Sequence, residues 1–281
     1  PDEWPKKNQK LSPHPYLSYY TTPGYTNVNK NRQEFKHNSL GYRGPEISKK
    51  KKPGIFRIVT LGGSTTYTSG VPLNSLTYPA MLEKILLEKY KYENVEVINA
   101  GVPGYTSWET LINFQFRVLD IEPDLIIIYH GTNDTHARLV LPKFYQSDNL
   151  GSRKHWENPD IPFWEYSILG RFFSRIRINR PPSERDFTGA KTALKPGSDP
   201  IRTLKDNPPI YFKRNLSNIL IIAKKHGINV MLATWASSPS KGYAKQKHYK
   251  AGFSEAVKTI KQLGLENYVP VFEFHQYMSK D

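Results

Sequence analysis

Three apolar runs, each ending in a glycine-bearing turn, constrain this chain more than any other feature. The first strand is read up to Gly62, the second over 95–100 and the third over 124–130. The turns are Gly62-Gly63-Ser64-Thr65, Asn99-Ala100-Gly101 and Gly131-Thr132-Asn133-Asp134. Ser64 to Gly101 is 37 residues (101 − 64), and Gly101 to Asn133 is 32 (133 − 101). Each interval fits one strand-helix-strand unit, because parallel strands need a long crossover. The third run is almost continuously apolar, as a strand buried on both faces should be. In a parallel sheet the three turns share one edge, where open α/β folds bind ligands.

The rest of the chain repeats the alternation. Helices are expected over 78–90 and 107–119, the second with Ser107 as N-cap. After a long break, a helix over 210–226 closes at Gly227 and a strand follows over 229–235. A helix over 249–263 stops before Gly264, and a fifth strand covers 269–274. This order predicts an α/β fold with a doubly wound, five-stranded parallel sheet and a long insertion after the third strand.

Residues 1–54, rich in Pro, Asn, Tyr and Lys, read as an extended arm, and 55–281 as the domain. The insertion, about 138–206, has the length of a lid or binding loop, or of a plain surface excursion. It carries a short amphipathic piece over 168–178, an aromatic group (Trp156, Phe163, Trp164), and Arg171, Arg175 and Arg177. The aromatics could stack on sugar rings or simply form the insertion's own core. Cysteine is absent, which excludes disulfides and thiolate metal sites. No apolar run approaches the ~20 residues that span a bilayer. Net charge is +15, which favours anionic surfaces or substrates. The run Lys49-Lys50-Lys51-Lys52 reads as a solvated connector. Nucleic acid is a disfavoured partner, since no zinc-finger, RRM or basic-zipper pattern is present. The chain does not begin with Met and is expected to be a fragment or processed form.

The turns carry the chemistry. Glycines before Ser64 let the chain leave its strand sharply and expose the hydroxyl, a nucleophile once a base takes its proton. A helix cap or phosphate-cradling turn is the competing reading, although neither a P-loop nor a dinucleotide fingerprint is present. Gly101 could bring a backbone N–H close to a ligand, or be only a turn glycine. Asn133 could donate its side-chain amide to an oxyanion, with Asp134 as the structural turn residue.

Together these segments resemble the first three blocks of the SGNH (GDSL-type) serine hydrolases, with Gly63 where the usual motif has aspartate. The segment His37-Asn38-Ser39-Leu40-Gly41-Tyr42-Arg43-Gly44 resembles one that precedes the domain in exported or membrane-anchored bacterial members. The resemblance implies a flavodoxin-like α/β/α sandwich and a Ser64 acyl-enzyme. It implies an oxyanion hole from Ser64 N–H, Gly101 N–H and the Asn133 side chain, with no cofactor and no metal. It further implies an acyl-ester or acylated-glycan substrate and an outward-facing location, a cytoplasmic one being left open. The family's Asp-x-x-His block, which supplies the base and its aspartate, occurs nowhere in the chain. The C-terminus is therefore expected to be cut short and this 281-residue form inactive. His275, His130, His136 and His248 are not expected to replace the base. Two alternatives remain at this stage: an O-acyltransferase on glycans, and a non-catalytic module binding glycan or an anionic surface.

Overall fold

A computed structural model describes residues 9–14, 17–28, 34–149, 167, 169, 199–237 and 246–278. The expected amphipathic piece, the aromatic group and the three arginines of the insertion lie outside the described residues, apart from isolated positions. Contacts divide the chain into two compact units, residues 1–135 with 209–281, and residues 136–208.

The first unit is built on the predicted sheet. Its strands are β5 (Phe56–Gly62), β6 (Val95–Asn99), β7 (Leu125–Tyr129), β8 (Asn229–Ala233) and β9 (Val271–Phe272). They lie in the order β6-β5-β7-β8-β9, and every pairing is parallel. Counted from β5, this is the 2-1-3-4-5 order of doubly wound flavodoxin-like sheets, whose switch point lies between the first and third strands. Successive side chains of β5 alternate between two packed faces. Ile58 joins Val95 and Val97 beneath Leu82 and Leu86 of α2 (Tyr78–Glu88). Val59 and Leu61 join a larger core with Ile126 and Ile128, in which α6 (Ile210–Lys225) contributes Phe212, Leu216 and Ile219. Burial of such side chains contributes about 1.5–3 kcal/mol each.

The arm is more ordered than its composition suggests. It forms two antiparallel strand pairs, β1 (Leu11–His14) with β2 (Ser18–Thr21) and β3 (Thr26–Val28) with β4 (Glu34–Lys36). The lysine run is not simply solvated: Lys49 pairs with Asp120 at 2.8 Å and Lys51 with Asp124. Both pairs are partly or largely exposed and contribute little to stability.

Two helices differ from expectation for identifiable reasons. The N-cap of α3 (Ser107–Asn113) is Thr106, not Ser107, because Thr106 and Glu109 form a reciprocal capping box. Beyond Asn113 the helix loosens into a π-turn over Phe114–Val118. The long α7 (Lys247–Asn267) runs straight through Gly264. That glycine is a point of close approach rather than a cap: a Cβ there would lie 2.2 Å from Val271 Cγ2. The helix ends instead at Tyr268, whose φ is 55°.

In the second unit, α4 (Thr132–Arg138) ends and α5 (Pro200–Asp206) follows. Arg138 Nε donates to Asn207 O at 2.7 Å, and Asn207 Nδ2 donates back to Arg138 O at 2.7 Å. Among the described residues, no helix is long and apolar enough to cross a membrane.

Candidate active site

Strand register brings two of the three expected residues together. Gly62, the last residue of β5, lies opposite Tyr129, the last of β7. Ser64 follows two residues later as the first residue of α1 (Ser64–Tyr67), and Asn133 follows four residues later in α4. Both line one cavity of about 180 Å³, together with Gly63, Thr65, Tyr129, His130, Gly131, Thr132 and Trp235. The cavity therefore sits at the switch point of the sheet, where the ends of β5 and β7 diverge.

Gly63 makes this closeness possible. A Cβ on it would lie 2.6 Å from Asn133 Nδ2 and 3.1 Å from Tyr105 O. Asn133 Nδ2 donates to Tyr105 O at 2.7 Å. That bond orients the amide, and its second hydrogen remains available to a ligand.

Gly101 is placed differently. The chain beyond β6 keeps pairing with β5: Ala100 N–H donates to Thr60 O and Val102 N–H to Gly62 O, both at 3.0 Å. Gly101, between them, turns its N–H to Asn99 Oδ1 at 3.1 Å. It is buried, and a Cβ on it would lie 2.3 Å from Tyr67 N in α1. Gly101 is not among the residues lining the cavity. Its smallness serves packing of the helix that carries Ser64. From the same loop, Tyr105 is the residue whose backbone meets the site. Gly104 beside it is exposed, with φ at +84°, a conformation that favours glycine. Sequence reasoning passed over Gly104, although Gly101-Val102-Pro103-Gly104 carries two glycines and only position and φ separate them.

His130 is the one described histidine lining the cavity, and its Nε2 is engaged in a hydrogen bond. Nε2 lies 2.8 Å from Thr110 Oγ1, and Nδ1 lies 3.4 Å from Asp134 Oδ2. Asp134 is structural, as expected: its Oδ1 accepts from Ser107 N–H at 2.9 Å and Ser107 Oγ at 2.6 Å. This ties the start of α3 to α4 beneath the site. Tyr129 stacks on Trp235 at 5.0 Å. Burial pushes its phenol above the usual range, so it forms a neutral wall. His275 bonds Thr234 Oγ1 through Nδ1 at 2.8 Å and is not among the residues lining this cavity.

The arm grips both sides of the site. Tyr19 Oη donates to Pro103 O at 2.7 Å, and Tyr105 Oη donates to Tyr19 O. Arg43 Nη1 donates to Tyr67 O and Thr68 O, each at 2.8 Å, and Nη2 to Val71 O at 2.6 Å. His37 Nε2 lies 2.7 Å from Tyr67 Oη.

An acetyl xylan esterase from Geobacillus stearothermophilus aligns over 82% of this chain and 81% of its own, with 14% identity and a TM-score of 0.47. A GDSL-like lipase from Bacteroides thetaiotaomicron aligns over 80% and 71%, with 15% identity and a TM-score of 0.43. In sequence, the uncharacterized lipoprotein YqeF of Bacillus subtilis is 30% identical over 116 residues, 38% of this chain. The match spans 47% of that relative, about half its length. The sequence model of the GDSL-like lipase/acylhydrolase family matches residues 60–281, a span holding Ser64, Asn133 and most of the parallel sheet. The chain belongs to that family of hydrolases.

Proposed function

We propose that this protein is a serine esterase that removes short acyl groups through an acyl-enzyme on Ser64. The observation that carries this reading is the shared cavity of Ser64 and Asn133, whose volume of about 180 Å³ suits an acyl group of acetyl size. Ser64 Oγ attacks the acyl carbonyl carbon, and negative charge gathers on the carbonyl oxygen. The alcohol leaves with a proton, and water then cleaves the acyl-enzyme to release the acid. Ser64 N–H and the second amide hydrogen of Asn133 serve as oxyanion donors. Gly101 N–H, held by Asn99 Oδ1, serves this role only if that bond opens. The base is a histidine outside the described residues: His130 Nε2 is bonded to Thr110 Oγ1, and its Nδ1 faces the Asp134 carboxylate.

Acylated carbohydrate is the proposed substrate class, because the small cavity accepts only the acyl group and leaves the alcohol portion outside. An outward-facing, lipid-anchored location is proposed from the partial match to a relative named a lipoprotein. Fluorophosphonate labelling followed by peptide mass mapping tests the core of the reading. Label is expected on Ser64 and lost in Ser64→Ala. Because Asp-x-x-His is absent from the 281 residues, turnover is expected to be slow and to rise with added imidazole. Turnover of an aryl acetate by Ser64→Ala at the parent rate would refute the assignment.

A further inference from the structure

A groove of about 870 Å³ adjoins the Ser64 cavity, and Trp235 lines both. Its floor is Trp235, Phe253 and Val257, and its rim carries Lys250, Lys258 and Lys261. We propose that this groove binds the non-reacting part of an anionic glycan, a sugar chain bearing carboxylate or phosphate groups whose acyl ester is presented to Ser64. The inference rests on the esterase reading above and specifies the substrate of that same site.

Four observations support it. First, the lysines follow one stripe of α7. With a rise of 1.5 Å per residue, Lys250 and Lys258 stand about 12 Å apart along the axis, and Lys258 and Lys261 about 4.5 Å. Such a row matches a linear polyanion better than a single charged group. Second, Lys250 and Lys258 have no carboxylate partner among the described residues, whereas Lys261 pairs with Glu273 at 2.9 Å. Glu273 also lies 3.9 Å from His275, another lining residue. Two cations are thus left to a ligand. Third, Trp235 Nε1–H is buried without an acceptor among the described residues. A buried donor of this kind calls for a partner, and it belongs to the residue shared by groove and cavity. Fourth, Ser237, Ser254 and Gln262 add hydroxyl and amide groups to the lining. These suit sugar hydroxyls and suit alkyl chains poorly. A lysine stripe on an ordinary solvated helix would face open water; this one borders a concavity floored by aromatic rings. The groove is concave, which also disfavours a flat membrane surface.

The test uses the 281-residue chain carrying Ser64→Ala, so that binding is read apart from catalysis. Isothermal titration with an oligogalacturonate is expected to show binding that weakens as salt rises. A neutral xylo-oligosaccharide of equal length is expected to bind at least tenfold more weakly. Adding Lys250→Gln and Lys258→Gln should weaken oligogalacturonate binding by about tenfold or more and lower the salt slope by about one per lysine. Equal affinity for the neutral chain, an unaltered slope in the lysine variant, or preferential binding to phosphatidylglycerol vesicles through these lysines would overturn the proposal. Binding that persists while Ser64 labelling fails would sink only the esterase reading.

Discussion

Adding a single methyl group at Gly63 should impair the site nearly as much as deleting the Asn133 amide. In Gly63→Ala the new Cβ would start 2.6 Å from Asn133 Nδ2. Carbon and nitrogen settle at roughly 3.5 Å, so the amide must retreat by about 1 Å. That retreat stretches its 2.7 Å bond to Tyr105 O beyond hydrogen-bond range. The ground-state loss is about 1 kcal/mol for the bond, and overpacking adds about 1–3 kcal/mol. The rate effect is larger. A 1 Å misplacement costs about 10²-fold, and complete loss of an oxyanion donor costs about 10²–10³-fold, or ~2.7–4 kcal/mol. The assay is kcat/KM on an aryl acetate, with imidazole present, for Gly63→Ala, Asn133→Ala and the double variant. Both single variants should fall about 10²-fold, and the double variant should be little worse, since both act on one donor. Full retention of activity in Gly63→Ala, or losses that simply multiply, would refute the reasoning.

Two further predictions concern stability. Arg57 is wholly buried, and its Nε donates to Glu96 Oε2 at 2.9 Å; Nη2 lies 2.8 Å from the same oxygen but outside hydrogen-bond geometry. Removing one partner of a buried pair costs about 3–5 kcal/mol, reduced here because Glu96 is partly solvated. Glu96→Ala should therefore cost about 2 kcal/mol, seen as a melting point lower by about 4–8 °C; an unchanged melting point would exclude a structural role for the pair. His37 is the pH-sensitive group. Its Nδ1 lies 2.9 Å from Thr22 O, a pure acceptor, so Nδ1 carries the proton and Nε2 accepts from Tyr67 Oη. Burial first, then the nearby Lys10 and Arg43, lower its pKa to about 4, although the Thr22 bond opposes them. The unfolded chain then binds the proton more readily than the folded one. Stability from His37 is complete above about pH 6.5 and drains as pH falls toward 4, by about 3 kcal/mol. Melting curves at pH 7 and pH 4.5 should converge between the parent and His37→Gln as pH drops. A parallel fall in both would assign the acid sensitivity elsewhere.

The sheet was legible because its signal is local: an apolar run and a turn glycine mark each strand, and the intervals allow only crossovers. Ser64 and Asn133 followed, since each lies within four residues of a strand end. Gly101 was harder to read. Sequence shows that a glycine follows β6 but not that pairing with β5 continues past Asn99, which turns its N–H away from the cavity. Gly264 misled for a related reason, since a glycine excused from a side chain by a neighbouring strand looks the same as a glycine that ends a helix. The order in the arm was invisible because it depends on Tyr19, His37 and Arg43 meeting partners 24–86 residues away. The lysine groove was equally hidden, because Trp235 and the α7 stripe come from separate segments.

The hold of the arm on α1 has a practical corollary for anyone trimming this protein. Arg43 donates hydrogen bonds to the carbonyls of Tyr67, Thr68 and Val71, at the end of α1 and just beyond it, and it also bridges to Asn99 at the open border of the sheet. A version starting at residue 55 would bare those oxygens and that strand border together. It should be sticky as well as sluggish, because an uncovered sheet margin recruits other chains. The smallest well-behaved form of this sequence therefore begins upstream of residues 60–281, the span that the family model matches.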